Sequence, residues 1–271
     1  MSMLELLSHE FMQNAVMAAM LASVACGMIG TLVVVNRLVF LAGGVAHAAY
    51  GGVGMAFFFG LPVLPCTVGF TLAASTIMAG VTLRNKERSE TVIGVMWAAG
   101  MALGILLLDI TPGYNVDLMS YLFGSILTVP VSDIRIMFGL DVFIVAMVLY
   151  FYRDFLVMSF EPEFARTRGV PVTLLYFVLL GMIALSVVMI IQVVGLILVI
   201  ALLTIPPYMA QGTSRSLMAM MVRAVIWSLF FCLTGLWIAC LYDLTSGASI
   251  IAVATVCFFG KLLWEGVSVK F

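Results

Sequence analysis

Long runs of apolar residues separated by short polar segments dominate the sequence. Each run is about as long as the roughly 20 residues that an α-helix needs to cross the hydrocarbon core of a bilayer. The pattern therefore predicts an all-α polytopic membrane protein with about 8–9 transmembrane helices. The count is eight if the two crowded runs between 172 and 210 form one span. The predicted spans are 13–35, 42–60, 63–83, 91–109, 136–152, 172–190, 193–210, 221–241 and 249–264.

Two shorter segments accompany these spans. Residues 1–12 are amphipathic and contain no Lys or Arg, which predicts a segment lying at the membrane surface and no signal peptide. Residues 118–130 predict an extra short or re-entrant helix. No long hydrophilic stretch interrupts the chain, so we expect a single transmembrane domain over residues 1–271.

Composition supports the membrane interpretation. Hydrophobic residues make up 64% of the chain and charged residues only 9%, whereas a soluble domain has about 25% charged residues. This excludes a soluble enzyme and a disordered protein. The net charge of −1 also excludes a nucleic-acid-binding protein, which needs a basic surface.

Basic residues gather in alternate loops and set the predicted orientation. Because Lys and Arg are retained on the cytoplasmic side, these loops are predicted to be cytoplasmic, with the N-terminus outside and the C-terminus inside. Only Arg135 departs from this pattern. The predicted outer loops carry Asp109, Asp117, Asp133 and Asp243, which either attract cations or are ordinary solvated residues. The predicted cytoplasmic residues include Arg37, Arg84, Lys86, Arg88, Arg153, Arg166, Arg168, Arg215, Arg223 and Lys270.

Two ionisable residues stand out within predicted spans, where such groups are costly and by default functional. His47 lies among small residues that allow close helix approach. Its imidazole either binds a borderline metal ion such as zinc or forms a hydrogen bond to a neighbouring helix. Asp141 is either functional, paired, or near a span end. The five cysteines show no C-x-x-C pair and are interpreted as small buried hydrophobic residues.

Enzymatic motifs are missing from the sequence, while two inner segments suggest a partner. No GxxxxGK[ST] or HExxH motif occurs, so energy would come from a partner or an ion gradient. Residues 159–172 predict a short charged helix. Residues 195–220 contain Pro206 and Pro207, which are predicted to break a helix at its inner end. These segments either dock into another protein or are plain loops.

Four motifs, in order along the chain, resemble those of one family. They are FMQNAVMAAMLASVACGMIGTLVVVNRLVFLAGGVAHAAYGGVG (11–54), SYLFGSILTV (120–129), SFEPEFARTRGVPV (159–172) and VVGLILVIALLTIPPYMA (193–210). Together they are similar to the membrane permease subunits of bacterial zinc/manganese/iron ABC transporters, nearly from end to end.

The resemblance implies a type II ABC importer-like fold in a bacterial plasma (inner) membrane, as a homodimer with the translocation path at its interface. It implies two copies of an ATP-binding cassette ATPase subunit and an extracytoplasmic metal-binding protein as partners. The permease subunit would itself not be an enzyme. It would hold no tight cofactor, and its cargo would be Zn, Mn or Fe.

The resemblance also assigns residues. The family's metal-path histidine is kept as His47, but its aspartates are replaced by Gly43 and Ser125. Asp141, Tyr50 and Asp117 are candidate replacements. The loss of carboxylates weakens Mn²⁺ binding more than Zn²⁺ binding. The cytoplasmic segments 159–171 and 206–220 would couple to the ATPase, with Pro207, Tyr208, Gln211, Arg215, Glu161, Glu163 and Arg166 as the predicted contact residues.

The sequence is also compatible with two other functions. An ion-coupled secondary transporter would show inverted repeats and broken helices. No convincing internal repeat is visible in the sequence. A membrane enzyme acting on lipid would use His47 and Asp141 without any ATPase. The sequence does not name the metal, exclude a chelate as cargo, or distinguish a Gram-positive from a Gram-negative host.

Overall fold

A computed structural model describes residues 10–84, 89–111, 124, 126–196 and 199–268, with the backbone alone at 192 and 265–268. Apart from one 3₁₀ turn at Ile126–Thr128, every regular element in these ranges is an α-helix. The helices are α1 (Glu10–Val35), α2 (Val39–Phe59), α3 (Val63–Arg84), α4 (Ser89–Asp109), α5 (Val131–Tyr150), α6 (Tyr152–Phe160), α7 (Pro162–Thr167), α8 (Val172–Val194), α9 (Val199–Gln211), α10 (Leu217–Tyr242) and α11 (Ser246–Ser268).

The prediction of an all-α polytopic membrane protein is confirmed. Seven of the described helices are long and apolar enough to cross a membrane. The pair α5 and α6 is bent by 68° at Phe151 and provides an eighth candidate span. Residues 118–123 and 125 of the predicted 118–130 helix lie outside the described residues. Asp117 and residues 1–9 lie outside them as well.

The predicted span 193–210 differs from the structure. Helix α8 continues to Val194, and α9 has only 13 residues, so α9 is about 20 Å long and shorter than an ordinary span. Gly195 ends α8 with φ of 77°, a backbone conformation that glycine adopts without steric cost. The predicted boundary at 191–192 therefore lies a few residues too early, because both segments are apolar and the pattern does not mark where one helix ends.

The prediction that Pro206 and Pro207 end a helix is wrong. Helix α9 continues through both prolines to Gln211. Proline has no amide hydrogen, so the carbonyls one turn earlier lose their helical donors. One of these, the Leu203 carbonyl, lies against Gly30 of α1, where a Cβ would be only 2.5 Å from it. The neighbouring helix therefore accommodates the irregular turn.

The basic loops meet at one end of the helix bundle. A cavity there is lined by Arg37, Tyr152 and Arg215 among others. Asn36 after α1 donates a hydrogen bond to the Ser159 hydroxyl of α6 at 2.9 Å. At the opposite end, Gly124 lies close to Gly195. The positive-inside rule places the basic end in the cytoplasm, and we call it the inner end.

Candidate metal path and partner surface

The candidate ligand His47 lies in the middle of α2 and is 9% exposed. Its ring stacks on Trp97 of α4, with ring centroids 4.0 Å apart and planes 7° from parallel. The Nδ1 atom has no hydrogen-bond partner in the described part of the chain, so the alternative of a hydrogen bond from Nδ1 to a neighbouring helix is not supported there. Because an imidazole nitrogen is a common metal ligand, His47 remains available for this role.

Small residues bring α2 and α4 together around this stack. Gly100 and Gly104 of α4 form a G-x-x-x-G pair, which permits close helix approach in membranes. A Cβ at Gly100 would lie 2.7 Å from the Ala48 Cα atom, and one at Gly104 would lie 2.7 Å from the Tyr50 carbonyl carbon. The Trp97 indole also donates a hydrogen bond to the Met101 sulfur at 3.2 Å. The His47 ring is thus held by a rigid interface.

Gly43 lies one helical turn before His47. A Cβ at this position would lie 2.7 Å from the Cδ1 atom of Ile200, at the start of α9. The site where the family has an aspartate therefore faces the short helix α9. A Cβ there would require only the end of the Ile200 side chain to move.

Asp141 occupies the middle of α5 and is 4% exposed, so the interpretation as a residue near a span end is wrong. Its Oδ1 atom has no hydrogen-bond partner among the described residues. Helix α5 packs against α1 along this part of its length. Asp141 therefore belongs to the packing of α5 against α1, whereas His47 belongs to the contact between α2 and α4.

The predicted ligand set is not assembled within the described residues. Tyr50 is buried and packs with Leu108 and Leu196. No hydrogen bond or ion pair in the described ranges joins His47 to Tyr50 or Asp141, and no group of three His, Cys, Asp or Glu side chains there is arranged to hold a metal ion. Asp117 and Ser125 lie outside the described residues. The supporting ligands remain a prediction.

The inner end carries a cavity of about 640 Å³. Of the predicted partner-contact residues, Gln211 and Arg215 line it. Arg37, Tyr152 and Phe160 line it as well and were not predicted. Arg37 follows α1 in a left-handed conformation with φ of 58°, a position that usually carries Gly. Arg37 and Arg215 make no ion pair within the described residues, so the cavity is basic.

The remaining predicted contact residues lie elsewhere at this end. Pro207 is buried and packs against Gly30 of α1. The Tyr208 ring packs against Phe258 of α11 at 5.0 Å. In α7, exposed Glu163 and Arg166 form an ion pair at 3.2 Å, which contributes little to stability at such exposure. Glu161 precedes α7 and is exposed.

These features define a class: a multi-pass helical membrane protein with a basic cavity at one end and, inside the bundle, a buried histidine whose Nδ1 has no hydrogen-bond partner in the described ranges. The chain belongs to the ABC 3 transport family, whose sequence profile matches residues 8–265. The family resemblance seen in the four motifs is thereby confirmed.

Relatives agree along almost the whole chain. It is 48% identical over 264 residues to an uncharacterised membrane protein of Synechocystis sp., covering 97% of this chain and 94% of the relative. It is 30% identical to a manganese transport system membrane protein of Halalkalibacterium halodurans, covering 94% and 87%. The solved structure of PsaBC from Streptococcus pneumoniae in complex with Fab aligns with a TM-score of 0.86 at 28% identity, covering 94% and 92%.

Proposed function

We propose that the chain is the permease subunit of an ATP-driven importer of divalent metal ions. The observation that carries this proposal is His47, a buried imidazole whose Nδ1 has no partner in the described part of the chain. Burying a polar atom without a partner costs free energy, which a passing metal ion would offset. Membership of the ABC 3 transport family and the manganese transport relative support the same role.

The proposed path lies between two copies of the chain. Within one copy, the described residues do not assemble three metal ligands, so a second copy would bring further donors. A transient site needs few ligands, because tight binding would prevent release. Two ATPase subunits on the inner side and an extracytoplasmic metal-binding protein complete the proposed system.

The cargo is zinc, manganese or iron. The absence of a carboxylate at Gly43 favours zinc, because manganese prefers oxygen ligands and imidazole suits zinc. The 30% identical relative, a manganese transport system membrane protein, points instead to manganese. The identity of the transported ion is therefore the first thing that an experiment has to establish.

The proposed test is cellular metal content by mass spectrometry. Cells would express the chain with its ATPase and binding protein, and a control would carry an ATPase unable to hydrolyse ATP. We expect zinc or manganese to accumulate only with the active ATPase. Accumulation in both strains would indicate an ion-coupled transporter instead. No accumulation of any first-row metal would overturn the proposal.

The inner cavity is the proposed ATPase contact. Gln211 and Arg215 line it, and Arg37 adds a second positive charge from α1. Glu161, Glu163 and Arg166 on and before α7 would support the contact from the side. Pro207 and Tyr208 act indirectly in this proposal, since they pack against α1 and α11.

Restoring the missing carboxylate should change metal selectivity. In Gly43→Asp, an acid would lie one turn from His47, on the same helical face. We expect manganese uptake to rise relative to zinc uptake, because a carboxylate favours the harder ion. Gly43→Asn is the matched control, since it adds nearly the same volume without charge. Equal metal ratios in the two variants would show that this turn does not line the path.

A further inference from the structure

Helix α9 is short and internally weakened. It contains two adjacent prolines in 13 residues, and each proline removes one helical hydrogen bond. The position of α9 must therefore be maintained by contacts with its neighbours, and its inner end is the one that leads into the proposed ATPase contact.

Lys261 of α11 supplies such a contact. Its Nζ atom donates hydrogen bonds to the carbonyl oxygens of Tyr208 at 3.3 Å and Met209 at 3.2 Å. The same ammonium group lies 5.2 Å from the centre of the Tyr208 ring. These carbonyls belong to the last turn of α9, where helical carbonyls lack donors from within the helix. A cation there also interacts favourably with the helix dipole.

The anchored end continues directly into the inner cavity. Gln211, two residues after Met209, lines that cavity together with Ser214 and Arg215. Arg223 of α10 donates a hydrogen bond to the Thr213 carbonyl in the same segment. Segment 212–216 is therefore bound to α10 through Arg223, and the end of α9 that precedes it is bound to α11 through Lys261.

We propose that Lys261 is a positioning residue, which anchors the inner end of α9 to α11 and thereby sets the position of segment 212–216 for coupling to ATP hydrolysis. The coupling part rests on the ATPase contact proposed above, whereas the anchoring part concerns the permease chain alone. An ionisable residue within a predicted span is costly, and these contacts give Lys261 a specific role there.

Hydrogen exchange of the full chain in lipid nanodiscs tests the anchor. In Lys261→Met, we expect exchange in the peptide covering 208–216 to rise about two- to fivefold, as expected when a cation is lost from a helix C-terminus. Lys261→Arg keeps the cation and should retain most of the protection. Arg135→Met, which removes a cation from α5 outside this site, is the control. Unchanged exchange in Lys261→Met would overturn the anchor.

The coupling role is tested in liposomes that contain the chain with its ATPase and binding protein, supplied with zinc or manganese. We expect Lys261→Met to raise the ATP hydrolysed per ion imported, and Lys261→Arg to restore a ratio near that of the unaltered chain. Increased exchange with an unchanged ratio would overturn the coupling role. If the unaltered complex imports neither ion, the proposed function fails, while the exchange measurement still decides the anchor.

Discussion

Replacing His47 with alanine is expected to abolish metal accumulation without loss of the assembled complex. The substitution removes the imidazole whose Nδ1 is buried without a partner among the described residues, and the proposed path has few other donors. Removing even an indirect partner of a metal ligand costs about 10–100-fold in affinity or activity. We therefore expect uptake to fall at least about tenfold, measured as cellular zinc and manganese by mass spectrometry.

A second variant separates metal binding from packing. His47→Phe keeps an aromatic ring that can stack on Trp97 but has no nitrogen. We expect it to lose uptake like His47→Ala, while both variants still copurify with the ATPase. His9→Ala, at the only other histidine in the sequence, is the control and should import normally. Normal uptake by His47→Phe would show that the stack, and not the imidazole nitrogen, is what transport requires.

The architecture follows largely from the length of the apolar runs, because a bilayer demands long apolar helices with internally paired backbones. Helices α1, α2, α3 and α10 agree closely with predicted spans. The bend of 68° between α5 and α6 was not predicted. The predicted span ends at 152, next to the bend, but hydropathy does not reveal that a second helix, α6, begins there at a different angle.

The region around α9 shows where pattern reasoning fails. Two adjacent prolines ordinarily end a helix, yet α9 continues because Gly30 of α1 leaves room for the Leu203 carbonyl. Gly30 lies more than 170 residues earlier in the chain. Such compensation depends on tertiary contact and has no signal near the prolines themselves.

The candidate site was predictable in part. His47 was identified because an imidazole within a span is unusual, and the same reasoning applied to Lys261 should have identified that residue. Trp97 carried no such signal, since aromatic residues are common in apolar helices. Its stacking on His47 depends on the close approach of α2 and α4. In the sequence, this approach is indicated only by the many glycines around His47, which do not show which helix they contact.

That approach makes Gly104 the position where a larger side chain should be most damaging. In Gly104→Leu, the new Cβ would overlap the backbone of Tyr50, with its carbonyl carbon only 2.7 Å away. A backbone cannot rotate aside as a side chain can, so α2 and α4 must separate. Overpacking typically costs about 1–3 kcal/mol of folding stability, and we expect the upper part of that range or more. Because the His47–Trp97 stack bridges the same two helices, metal uptake should be lost as well.

Gly94 offers a matched control in the same helix, because a Cβ there meets no atom within 4 Å. Gly94→Leu adds the same apolar volume to α4 and should affect membrane insertion equally. Thermal unfolding in detergent, followed by size-exclusion chromatography, should therefore show a lower midpoint for Gly104→Leu and a nearly unchanged midpoint for Gly94→Leu. Equal midpoints would mean that α2 and α4 are not in backbone contact. The close approach that fixes the His47 ring would then be absent, and the rigid interface would no longer support His47 as a fixed ligand.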